Sequence, residues 1–107
     1  MKWKDDSGTL TICLNGEIDH YAAGKLREEI EKLIEKRKPG TLILDFHDVS
    51  FMDSSGVGML IGRYKTMSAI GGKMVACCLS ESVSRLYHMA GLHRIIPIVL
   101  DEGRKEA

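Results

Sequence analysis

The sequence predicts an α/β fold, with a mixed and mostly parallel sheet of four to five strands covered by helices. Three observations carry that expectation. Strand-sized and helix-sized apolar patterns alternate along the chain. Turn signals at Asp5-Asp6-Ser7-Gly8, Asn15-Gly16, Pro39-Gly40 and Gly71-Gly72 separate them. A chain of 107 residues that is 44% hydrophobic also has the size and composition to bury one core without disulfides, so residues 1–107 are read as one domain.

Thr9-Leu10-Thr11-Ile12-Cys13-Leu14 alternates before turning apolar, and the Ser7-Gly8 turn lets it pair with residues 2–4 as an N-terminal hairpin. From Ala22, Leu26, Ile30, Leu33 and Ile34 form one helical face, with Asp19 as its N-cap. Thr41-Leu42-Ile43-Leu44-Asp45 and Lys73-Met74-Val75-Ala76-Cys77-Cys78-Leu79 read as buried strands. Between them, Val57, Leu60, Ile61, Tyr64 and Met67 mark a helix ending near Gly71. A third helix buries Val83, Leu86, Tyr87 and Ala90, is capped by Ser80 or Ser82, and stops at Gly91. Residues 95–100 are a last strand or a helix start, with Pro97 favouring an edge strand.

Right-handed crossovers between parallel strands then gather the loops at 16–20, 47–56 and 80–82 on one edge of the sheet. Function is expected there.

Composition narrows the partners. Fifteen basic residues balance fifteen acidic ones, so no global field favours nucleic acid or an anionic membrane. No apolar run approaches the ~18 residues of a membrane span, and the expected location is cytoplasmic. Cys13, Cys77 and Cys78 form no disulfide or zinc pattern and are read as reduced, buried small hydrophobes.

Several chemistries fit poorly. Gly56, Gly58 and Gly62 follow G-x-G-x-x-x-G inside a helix, unlike a dinucleotide fingerprint. Each costs about 1 kcal/mol relative to alanine within a helix, which suggests a backbone of the sheet or of a partner passing close by. Around Ser54 the flanking positions of a G-x-S-x-G nucleophile turn are Met52 and Gly56, so a hydrolase is not expected. His20, His47, His88 and His93 sit at no metal-ligand spacing. Asp45, Asp48 and Asp53 are a weak magnesium candidate without the partners a receiver-like site needs. The expectation is therefore no catalytic residue, no metal and no cofactor.

The remaining candidate is Asp53-Ser54-Ser55-Gly56-Val57-Gly58, which opens the second helix. Helix capping explains these residue types, and so does a serine that is modified or recognised.

Phe51-Met52-Asp53-Ser54-Ser55-Gly56-Val57-Gly58, continuing to Ile61-Gly62-Arg63-Tyr64-Lys65, resembles the signature of the bacterial STAS domains that act as anti-sigma factor antagonists. Gly16-Glu17-Ile18-Asp19-His20, Gly71-Gly72-Lys73-Met74-Val75, Val83-Ser84-Arg85-Leu86 and Gly91-Leu92 extend the likeness over nearly the whole chain. Asp19-His20 and Gly62-Arg63-Tyr64-Lys65 point to the sporulation branch, from which the short first strand and the brevity of residues 101–107 depart.

The resemblance implies a single STAS-like domain that binds an anti-sigma factor serine kinase carrying ATP or ADP and so releases a sigma factor. It implies Ser54 as the phosphoacceptor, a PP2C-type phosphatase that resets the switch, and a partner surface of Asp19, His20, Asp53, Ser55 and Gly56. The alternatives are a STAS module of a sensory complex or transporter, and a small enzyme or ligand-binding domain.

Overall fold

The computed structural model describes residues 1–99. Strand β1 (Lys2–Asp6) pairs antiparallel with β2 (Thr9–Ile18) through the Ser7-Gly8 turn, where both residues have positive φ. The chain continues through α1 (His20–Arg37), β3 (Thr41–Met52), α2 (Ser54–Ala69), β4 (Lys73–Cys77) and α3 (Glu81–Met89) to a 3₁₀ turn, Leu92–Arg94. Among the described residues the sheet has four strands in the order β1-β2-β3-β4, with β2, β3 and β4 mutually parallel, as expected of helices serving as crossovers.

Alternation fixes which face is covered. Leu10, Ile12 and Leu14 of β2, Leu42, Leu44 and Phe46 of β3, and Met74 and Ala76 of β4 are buried in the core. Ala23, Leu26, Ile30 and Ile34 of α1, Met59, Leu60 and Met67 of α2, and Val83 and Tyr87 of α3 join them. Tyr87 packs edge-on against Phe46, and its hydroxyl donates to the Ile96 carbonyl. Burial pushes that phenol above its ordinary pKa.

Between α1 and α2, Arg63 is buried, with its Nε 2.6 Å from Glu31 Oε1. The same oxygen accepts from Thr66 Oγ1 at 2.6 Å. The Arg63–Glu31 contact is ionic and lies off the line of a directed hydrogen bond.

Several expectations change. Strand β3 runs on to Met52 instead of stopping at Asp45, and β2 passes through Asn15-Gly16 without turning. The pairing jumps between Cys13 and Asn15 and again between Gly16 and Glu17. Such bulges break the period-two pattern, so the extended pairing reads as loop in the sequence. Helix α1 begins at His20, directly after the expected cap Asp19.

Strand β4 ends at Cys77, level with Asp45, while β3 continues from Asp45 to Met52. The turn at 80–82 is thereby set back along the sheet from the ends of β2 and β3, and Ser80 caps α3 there through the Val83 N–H at 3.3 Å. The last segment makes one parallel bridge, Ala76↔Ile98, in place of a strand. Leu100 and residues 101–107 lie outside the described residues.

Candidate functional site

Strands β2 and β3 end side by side, with Ile18 paired to Met52 and the Asp53 N–H donating to the Ile18 carbonyl at 3.3 Å. Each strand passes directly into a helix through one aspartate. Asp19 Oδ1 accepts from the Ala22 N–H at 2.9 Å, and Asp53 Oδ1 accepts from the Ser55 N–H at 2.8 Å. Two capped helix N-termini therefore lie together at one end of the sheet, each presenting the positive end of its dipole. The expected meeting of the Asp19 and Asp53 loops holds.

The two serines differ. Ser54 is the first residue of α2 and is exposed, and its hydroxyl makes no hydrogen bond among the described residues. Ser55 is half-buried, and its Oγ lies 3.3 Å from His20 Nδ1. The His20 contact joins α1 to α2 across the seam between them. Behind it runs a groove of ≈ 380 Å³ lined by His20, Gly24 and Arg27 of α1 and by Ser55 and Gly58 of α2.

Gly56, expected at the partner surface, is buried. A Cβ there would collide with Met52 Cγ and lie 2.8 Å from Met52 Sδ and 3.2 Å from Ile18 Cγ2. Its missing side chain lets α2 sit down on the end of β3. No backbone of the sheet approaches Gly58 or Gly62, because a Cβ at either meets nothing within 4 Å, so of the two expected neighbours the sheet is ruled out.

Residues not singled out from the sequence complete the surface. Tyr21 in the first turn of α1 and Phe51 near the end of β3 are 74% and 47% exposed. Arg27 and Gly24 line the groove. Phe51 carried a signal, as an apolar residue in a stretch read as loop; Tyr21, Gly24 and Arg27 look like ordinary helix positions until α2 is laid beside α1.

Two N–H groups in the first turn of α2 are already bonded to Asp53: Ser55 N–H to its carboxylate, and Gly56 N–H to its carbonyl at 3.0 Å, so neither is free to hold an oxyanion. Asp45 points into a different neighbourhood, with Cys77 and Cys78, so the Asp45, Asp48 and Asp53 magnesium candidate is not assembled.

A small mixed sheet with a capped, exposed serine at a helix N-terminus defines an α/β regulatory domain in which the serine is presented outward. The chain belongs to the STAS domain family, whose model matches residues 2–104. It is 38% identical over 95 residues to an anti-sigma F factor antagonist of Paenibacillus polymyxa, covering 89% of this chain and 81% of that one. It is 35% identical over 99 residues to an anti-sigma-B factor antagonist of Listeria monocytogenes, covering 92% and 85%. Among solved structures, it resembles the anti-sigma factor antagonist SpoIIAA in its unphosphorylated form, with TM-score 0.82 and 31% identity over 95% of this chain and 90% of that one. The phosphorylated form of SpoIIAA from Bacillus matches with TM-score 0.73 and 29% identity over 98% and 96%. No helix among the described residues is long and apolar enough to cross a membrane.

Proposed function

We propose that this chain is an anti-sigma factor antagonist that works by partner switching. Unphosphorylated, it binds an anti-sigma factor that is itself a serine kinase with bound ATP or ADP, and the sigma factor is released. Phosphorylation of Ser54 ends the binding, and a PP2C-type phosphatase restores it. The contact surface is Asp19, His20, Asp53 and Ser55, bordered by Tyr21 and Phe51.

The observation that carries this reading is the contrast between the two serines: Ser54 is exposed with an unengaged hydroxyl, whereas Ser55 is half-buried against His20. A kinase needs an acceptor hydroxyl it can reach, and the kinase itself supplies the nucleotide, magnesium and base. Ser54 meets that need without any chemistry of its own.

The consequences of phosphorylation follow from position. A phosphate adds roughly −1.5 to −2 charges, and at the N-terminus of α2 it meets the favourable end of the helix dipole, so the fold is retained. In the complex that charge enters a desolvated interface beside Asp53 and Asp19. Buried like charges cost several kcal/mol there, and about 1.4 kcal/mol already lowers affinity tenfold.

The test is calorimetric titration of the unphosphorylated, phosphorylated, Ser54→Ala and Ser54→Asp proteins against the nucleotide-bound kinase, with the modified residue mapped by mass spectrometry. Ser54→Ala should bind and resist phosphorylation; Ser54→Asp and the phosphoprotein should bind at least tenfold more weakly. Equal affinity of both forms, or phosphate on Ser55 alone, overturns the reading.

A further inference from the structure

The face of the sheet turned away from the core carries a row of possible metal-ligand side chains that lies apart from the serine turn. Cys13 on β2 pairs in register with Asp45 on β3, and Asp45 pairs with Cys77 on β4. Side chains paired in this way project from the same face. In a continuing strand Cys78 would point to the other side. Instead the backbone turns left-handed there, with φ 63°, a conformation that is costly for a residue with a Cβ. The ligand atoms of Asp45, Cys77 and Cys78 then lie within 4.8 Å of one another.

Asp45 is half-buried, and no Lys, Arg or His lies within ion-pair distance of it among the described residues. Its Oδ1 accepts from the His47 N–H at 2.8 Å, which orients the carboxylate, and its Oδ2 is 4.0 Å from Cys13 Sγ. A partly desolvated carboxylate beside three sulfurs offers the mixed oxygen and sulfur donor set that a thiophilic cation takes. No cysteine spacing in the sequence announces this group, because it forms only when β2, β3 and β4 lie side by side.

We propose that Asp45, Cys77 and Cys78 form a binding site for a thiophilic divalent cation, zinc being the physiological choice, with Cys13 beside them as a further donor among the described residues. Zinc bonds of about 2.0–2.3 Å to oxygen and sulfur place tetrahedral ligand atoms roughly 3.7 Å apart. The present separations close to that by about 1 Å through side-chain rotation. Binding converts two thiols to thiolates and expels two protons, so it tightens as pH rises. The cation ties β4 to β3 and fixes the entry to α3, whose cap Ser80 lies two residues beyond Cys78.

The experiment is titration of the reduced, full-length protein with Co²⁺ under anaerobic conditions, read by absorbance, followed by displacement with Zn²⁺. One equivalent of Co²⁺ should give thiolate-to-metal charge transfer and tetrahedral d–d bands, and calorimetry in buffers of different ionisation enthalpy should report about two protons released. Cys78→Ser and Asp45→Asn, each checked for native amide NMR spectra, should weaken Co²⁺ binding at least about tenfold. Asp45→Asn keeps the shape of the site if the serine variant fails to fold. Absence of a thiolate band at one equivalent, an octahedral spectrum from histidine or carboxylate alone, or unchanged affinity in a folded variant overturns the proposal.

Discussion

Gly56 and Gly58 lie two residues apart on α2, and alanine at each should move stability in opposite directions. At Gly58 the new methyl group meets nothing within 4 Å, so only helix propensity changes. Alanine is favoured there by about 1 kcal/mol. For a domain of this size that raises the melting temperature by about 4–8 °C. At Gly56 the methyl falls onto Met52 Cγ, in the middle of a side chain only 6% exposed, with Ile18 Cγ2 closing the other side at 3.2 Å. Overpacking of this kind costs about 1–3 kcal/mol, against the same 1 kcal/mol helical gain. The two variants should therefore separate by about 1–3 kcal/mol, with Gly56→Ala melting at least about 4 °C below Gly58→Ala. Scanning calorimetry of the two proteins side by side measures this. If Gly56→Ala melts at or above Gly58→Ala, the packing of α2 on the end of β3 is not as described. Gly58 also lines the groove beside Ser55, so its alanine variant should bind the nucleotide-bound kinase more weakly despite its higher melting temperature.

Asp19→Ala and Asp53→Ala should each lose about 1 kcal/mol in chemical denaturation, the worth of a helix cap, while both weaken kinase binding by more than that loss in calorimetric titration. Glu31→Ala strands the Arg63 charge, whose side chain is 9% exposed, and removes the acceptor of Thr66; because Glu31 is itself 37% exposed, the expected cost is about 2–3 kcal/mol in urea unfolding, with Arg63→Met in the same background recovering part of it. Tyr87 holds its proton more tightly folded than unfolded, so its contribution is intact below the ordinary phenol pKa of 10.0 and is lost as pH rises beyond it. Tyr87→Phe should lose about 1 kcal/mol at neutral pH through the missing hydrogen bond to Ile96 and show a shallower decline in stability above pH 10.

The sequence alone determined the element order, the hairpin, the three helices and their serine and aspartate caps, because these rest on local periodicity and on side chains that reach their own backbone. Asp19, Asp53, Ser80 and Gly91 sit where those rules place them. It also brought Asp19 and Asp53 to one edge, since right-handed crossovers between parallel strands allow little else. Only the tertiary structure decided how far β2 and β3 run. Their bulges near Phe46 and Ser50 are set by pairing between strands 30 residues apart and leave no alternating pattern to read. The difference between Ser54 and Ser55 likewise depends on His20 arriving from α1. The cysteines show the limit most plainly. Cys13, Cys77 and Cys78 have no meaningful spacing along the chain, and they gather around Asp45 because three strands are in register and one backbone turn at Cys78 is left-handed.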